Sequence, residues 1–134
     1  MKVVLDTNVL VSGIFFVGVP GKILDAWTEG KFELFLTPGI FDEYRQTLKA
    51  IGGKEAAYLV SAWIQALGEQ THHVLDPKNY PRICRDPHDD KFLYCAGSVK
   101  ADYLVTGDKD LKVLEGSYDF KIVSPRAFLN VLEK

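Results

Sequence analysis

Close to its N-terminus the chain reads Val3-Val4-Leu5-Asp6-Thr7-Asn8: three apolar residues, two of them β-branched, running straight into a carboxylate. A short apolar run with no alternation is the signature of a strand buried on both faces. The pattern returns late in the chain as Tyr103-Leu104-Val105-Thr106-Gly107-Asp108. Gly107 permits a tight turn there, and the strand again ends at an acid. Two buried strands that each terminate in a carboxylate are the feature from which the rest of the chain is read.

Working outward, further strands are expected at 32–37, 71–75 and 120–123. Helices are expected from Pro20 to Gly30 (Ile23, Leu24 and Trp27 inward), from Pro38 to Gly52-Gly53 (Ile40, Phe41, Tyr44 and Leu48 inward) and over 54–67. Another runs from about Asp89 to Lys100 with Phe92, Leu93, Cys95, Ala96 and Val99 inward, and the last covers 125–132. Residues 108–114 read as a short helix or turn. Residues 12–20, Ser12 to Pro20, read as a loop or short turn, and Pro77, Pro81 and Pro87 punctuate a further loop. Strands separated by helices predict an α/β fold with a mostly parallel sheet covered on both faces. In such sheets the crevice beyond the carboxyl ends of the strands is the default site. Asp6 and the segment Thr106 to Asp108 are delivered to that edge.

The bulk properties are ordinary. A chain of 134 residues, 47% hydrophobic and 25% charged, suits a single domain over 1–134 with a core that requires no staples. The formal net charge of −2 offers no general attraction for nucleic acid, although a site built of carboxylates would itself lower it. Cys84 and Cys95 match no zinc spacing and read as buried thiols in a reducing compartment. No signal peptide is visible, because Asp6 interrupts the first apolar run, and no segment has the ~20 apolar residues of a membrane span. A cytoplasmic protein without membrane contact is the expectation.

Each acid has a structural reading beside the chemical one. Asp6 can cap the segment that follows it. Glu43 sits mid-helix, where a single Glu is ordinarily surface. Asp89 and Asp90 open a helix, where acids complement the dipole, and being adjacent they point in different directions. Asp108 and Asp110 can likewise cap. Taken together, these acids meet the requirement for a shared acidic pocket. Several close carboxylates cannot all ionise without a cation, and hard divalent ions want such oxygen ligands.

These segments resemble a known family. Val3-Val4-Leu5-Asp6-Thr7-Asn8-Val9-Leu10 resembles the opening motif of PIN domains. Asp90-Lys91-Phe92-Leu93 with Ala96 resembles the helix that bears the third acid. Ala101-Asp102-Tyr103-Leu104-Val105-Thr106-Gly107-Asp108-Lys109-Asp110-Leu111 resembles the segment that bears the fourth. The resemblance covers essentially the whole chain and is nearest to toxin components of prokaryotic toxin–antitoxin pairs. It implies a three-layer α/β/α sandwich and an endoribonuclease dependent on Mg²⁺ or Mn²⁺. The implied metal ligands are Asp6, Glu43, Asp90 and Asp108, with Thr7, Asn8, Thr106 and Asp110 as polar support. Asp42 stands beside Glu43, and Asp89 and Asp110 compete with Asp90 and Asp108. The implied partners are RNA, an antitoxin protein over the active groove, and further copies of the chain as a homodimer or higher oligomer. Ile14, Phe15, Phe16 and Val17 are either contacts for such partners or core. Lys91, Arg45, Lys49, Arg82, Arg85 and Lys109 are either RNA-backbone contacts or solvated surface. The alternative is a non-catalytic module that binds RNA or protein on the same fold. Phosphoryl-transfer folds with one nucleophilic Asp fit poorly. A dehalogenase-like enzyme wants an acid where Asn8 stands, and a receiver domain wants an acidic pair beside the solitary Asp6.

Overall fold

A computed structural model of the chain describes residues 1–76, 83–84 and 86–134. Arg82 and Arg85, and the expected turns at Pro77 and Pro81, lie outside the described residues. The strands are β1 (Lys2–Leu5), β2 (Glu33–Leu36), β3 (His72–His73), β4 (Tyr103–Val105) and β5 (Lys121–Val123). The helices are α1 (Thr7–Phe15), α2 (Gly18–Thr28), α3 (Pro38–Gly52), α4 (Ala57–Gln70), α5 (Asp90–Val99), α6 (Lys109–Lys112) and α7 (Pro125–Leu132).

All strand pairs are parallel, in the order β3-β2-β1-β4-β5, and helices cover both sides of the sheet. The two runs singled out in the sequence occupy its centre. Val3, Val4 and Leu5 are fully buried, as are Leu104 and Val105, which is why neither run alternates. The register pairs Leu5 with Val105, and Val105 with Val123. The next residue of each strand is therefore held at one level: the Asp6 amide donates to the Val105 carbonyl at 3.0 Å, and the Thr106 amide to the Val123 carbonyl at 2.9 Å. The buried Tyr44 hydroxyl donates to the Leu5 carbonyl, fixing the end of β1 from α3.

One expected loop is a helix. Residues 12–20 do not form an irregular connection: α1 runs to Phe15 and α2 begins at Gly18. Val9, Val11, Ile14 and Gly13 are weak helix formers, but Val9, Leu10, Val11 and Ile14 are buried, so packing overrides propensity. Asp6 caps α1 by accepting from the Asn8 amide. At Gly13 a Cβ would lie 2.7 Å from Leu24 Cδ1 and 2.8 Å from the Pro20 carbonyl. Only glycine lets α1 and α2 approach this closely. Ile14 is buried and Phe15 half-buried, whereas Phe16 and Val17 stand exposed at the junction.

That junction bends the pair by 95° and holds Val17 at φ 60°, ψ −119°. A β-branched residue there is strained. Val17→Gly is expected to relieve about 1 kcal/mol net of the added chain entropy, raising the melting temperature by roughly 2–4 °C in a thermal melt. Among the described residues no single helix is long and apolar enough to cross a membrane. Cys84 and Cys95 are buried and unbonded to each other. Burial, first of all, pushes both thiols up to about 12, which makes them poor nucleophiles.

Candidate active site

The carboxyl edge of the sheet gathers acids from four elements. Asp6 leaves β1 with its side chain buried. Thr106, also buried, leaves β4 beside it and donates its hydroxyl to Asp6 Oδ2 at 2.6 Å. The same hydroxyl oxygen accepts the Asp108 amide at 2.9 Å. One threonine thus ties the two strand-end acids into a single unit. Asp108 caps α6, its Oδ1 accepting the Asp110 amide at 2.8 Å. Asn8 contributes its backbone amide, 3.4 Å from Asp6 Oδ1, while the residue itself is exposed.

Glu43 reaches in from α3. It flanks the stripe of Ile40, Tyr44 and Leu48, all fully buried, and is itself half-buried. Its Oε2 accepts the Thr7 hydroxyl, and its Oε1 accepts Lys91 Nζ at 2.7 Å. Lys91 belongs to the first turn of α5. Of the other cations named from the sequence, Arg45 pairs with Asp42 and lies over the Phe41 ring, and Lys49 and Lys109 are exposed.

The two adjacent acids at the head of α5, between which the sequence left a choice, take different partners. Asp90 is buried, and its two carboxylate oxygens accept backbone amides, Oδ2 from Ile83 at 3.1 Å and Oδ1 from Cys84 at 2.7 Å. Its neighbour Asp89 meets the cluster instead. One ligand oxygen each from Asp89, Asp108 and Asp110 lie within 4.8 Å of one another. The physical reason is the turn before α5. Asp86 caps a tight 3₁₀ turn over Pro87–Asp89, and its three-residue period carries position 89 toward the strand ends. The pairing of Asp86 with Pro87 was the available signal, because a capping Asp followed by Pro starts a helical turn three residues before Asp90.

The electrostatics are those of crowded acids, which raise one another's carboxyls. Asp89 Oδ2 is buried and has no hydrogen-bond partner among the described residues, a costly state for a carboxylate oxygen. Burial pushes the Asp89 carboxyl well up. The Asp108 carboxylate adds to this by accepting a hydrogen bond only from the protonated form, and the charges of Asp108, Asp6 and Asp86 add further. Burial likewise raises Asp6, the Thr106 hydroxyl and Asn8 amide pull it back, and the charges of Asp108 and Glu43 raise it again. Asp6 therefore feels both ends of the cluster. An oxygen-only donor set, mutually repelling and with one buried oxygen unpartnered among the described residues, fits a hard divalent cation.

Residues 2–110 match the PIN domain family. The chain belongs to the PIN-domain family. This PIN domain is also 33% identical to the uncharacterized protein MJ1680 of Methanocaldococcus jannaschii, over all of this chain and 93% of that protein. In shape it is similar to a chain in the crystal structure of VapBC2 from Rickettsia felis bound to a DNA fragment from its promoter. The TM-score is 0.65, with 92% of this chain and 98% of that chain covered at 13% identity. At that identity the likeness shows the fold alone, and it is the α/β sandwich expected from the alternation of strands and helices.

Proposed function

We propose that this PIN domain is a metal-dependent endoribonuclease whose site is the acidic cleft at the carboxyl edge of the sheet. The observation that carries the reading is the Asp89 carboxylate, which offers one oxygen within 4.8 Å of an oxygen each from Asp108 and Asp110 and whose buried Oδ2 has no hydrogen-bond partner among the described residues. In this reading Asp89, Asp108 and Asp110 hold the ion with Asp6 beside them, Glu43 lines the far end of the cleft, and Asp90 serves the fold. When bound, Mg²⁺ or Mn²⁺ supplies positive charge to a phosphodiester transition state and acidifies a water.

The chain's own residues do the rest. Thr106 holds Asp6 and Asp108 in fixed relation, so the site is formed before substrate arrives. Thr7 orients Glu43, and Lys91 offers an ammonium at the cleft for a substrate phosphate. Hydrolysis adds water across the P–O3′ bond, leaving a 5′-phosphate and a 3′-hydroxyl. A net charge of −2 gives little general attraction for RNA, so affinity has to come from the cleft. The fold of the VapBC2 chain supports a second element of the reading, in which the domain is the toxin of a toxin–antitoxin pair. The exposed Phe16 and Val17 are apolar surface left for such a partner or for another copy of the chain.

The test is to incubate RNA with the protein and Mn²⁺ or Mg²⁺, then map the ends. Expected are 5′-phosphate and 3′-hydroxyl products that disappear with EDTA. Cyclic 2′,3′-phosphate ends, or cleavage unaffected by EDTA, contradict the reading. Occupancy should also raise stability by mass action, by ~2.7 kcal/mol at 100 times the dissociation constant, a shift of roughly 5–10 °C in a melt.

A further inference from the structure

The two ends of the acidic cleft are not electrostatically alike. At the Glu43 end both carboxylate oxygens are already engaged, Oε2 by the Thr7 hydroxyl and Oε1 by Lys91 Nζ at 2.7 Å. The ion pair is largely withdrawn from solvent, with side chains 19% and 25% exposed. At the other end Asp89 Oδ2 is buried with no hydrogen-bond partner among the described residues, and three carboxylates present oxygens within 4.8 Å of one another. Asp6 is joined to Asp108 through the Thr106 hydroxyl. Among the described residues, Lys91 is the cation seen in contact with this cluster, and it sits at one end of it.

We propose that this is a one-metal site: a single divalent cation belongs to the Asp89–Asp108–Asp110 end, and the Lys91 ammonium takes the place beside Glu43 that a second cation would otherwise occupy. The proposal rests on the metal-dependent reading above. A second ion at Glu43 would have to displace a charge-assisted hydrogen bond. It would also have to sit beside an ammonium in a pocket where like charges are poorly screened. Occupation of the first end meets neither obstacle, since no cation is seen there among the described residues. Lys91 is thus a positioning residue as well as a charge. It holds Glu43 in a fixed rotamer and limits the cleft to one metal ion.

Titration with Mn²⁺ tests this without recourse to activity, using calorimetry and the electron paramagnetic resonance of free Mn²⁺. The wild-type chain is expected to bind one ion tightly. Lys91→Met, which keeps the aliphatic stem and removes the charge, is expected to bind two, and the double variant Lys91→Met with Glu43→Gln to return to one. Lys91→Gln provides the same reading should Lys91→Met fail to fold. In the wild-type background, Asp89→Asn is expected to weaken the first ion by about 100-fold. Glu43→Gln should weaken it far less than Asp89→Asn does, because Glu43 is engaged by Thr7 and Lys91 at the other end. Two tight ions on the wild type, or equal losses from Glu43→Gln and Asp89→Asn, overturn the one-metal proposal and leave the metal-dependent reading intact. No Mn²⁺ on the wild type overturns both.

Discussion

Asp89→Asn is expected to fold at least as well as the wild type and to lose metal-dependent cleavage of RNA, while Asp90→Ala is expected to damage the fold itself. The two residues are adjacent, but their carboxylates do opposite work. Asp89 is buried close to Asp108, and its Oδ2 has no hydrogen-bond partner among the described residues. In the absence of metal its charge is a liability, and an amide of the same shape removes the repulsion. The metal-free melting temperature should rise by roughly 2–4 °C, a gain of about 1 kcal/mol. The increase that Mn²⁺ gives the wild type should vanish, and activity should fall by at least ~10³-fold, the loss of several kcal/mol of transition-state stabilisation. Asp90 instead satisfies the part-buried amide of Ile83 and the buried amide of Cys84. Truncation to alanine leaves both unpaired, at a cost of about 2–4 kcal/mol, so the melting temperature should drop by roughly 10 °C. Melts with and without Mn²⁺ separate the two. An Asp89→Asn protein that is unstable, or an Asp90→Ala protein that is stable and inactive, would reverse the assignment.

Thr106→Val should be nearly as severe although it changes no charge. The side chain is fully buried, and the substitution is close to isosteric. It removes the donor to Asp6 Oδ2 and the acceptor for the Asp108 amide at once. Two polar groups in a water-poor place are left unmet, at about 1–3 kcal/mol each. A fall in melting temperature of roughly 8–15 °C is expected. The turn that carries Asp108 also loses its tie to Asp6, so metal affinity should weaken by about 10–100-fold, as when residues that orient metal ligands are lost. Thr106→Ser restores the hydroxyl and should recover most of the metal affinity while still losing the buried methyl. If Thr106→Val keeps the metal affinity of the wild type, or Thr106→Ser fails to recover it, the hydroxyl does not carry the effect, and the proposed linkage of the two strand ends fails.

The central strands were legible in the sequence because burial on both faces removes alternation, leaving Val3-Val4-Leu5 and Leu104-Val105 as uninterrupted apolar runs. The position of Asp6 at a strand end followed from the same reading. The helix Thr7–Phe15 was not legible. Its composition disfavours a helix, and it forms because it is buried beside α2, a tertiary fact that propensity does not carry. The phase of the acids at Asp89 and Asp90 was open for a different reason. A 3₁₀ turn and an α-helix differ by more than half a residue per turn, enough to exchange which of two neighbours faces the cleft. The Lys91–Glu43 pair joins residues 48 apart in the chain, and no local pattern announces such a contact.

The most direct test of the central claim is cleavage of a single RNA by the wild-type chain with Mn²⁺, with EDTA, and by Asp6→Asn with Mn²⁺, each protein first shown to be folded. Asp6 feels the charges of both Asp108 and Glu43. The account predicts cleavage by the wild type with Mn²⁺ and none in the other two reactions. Cleavage that persists with EDTA and in folded Asp6→Asn would contradict it.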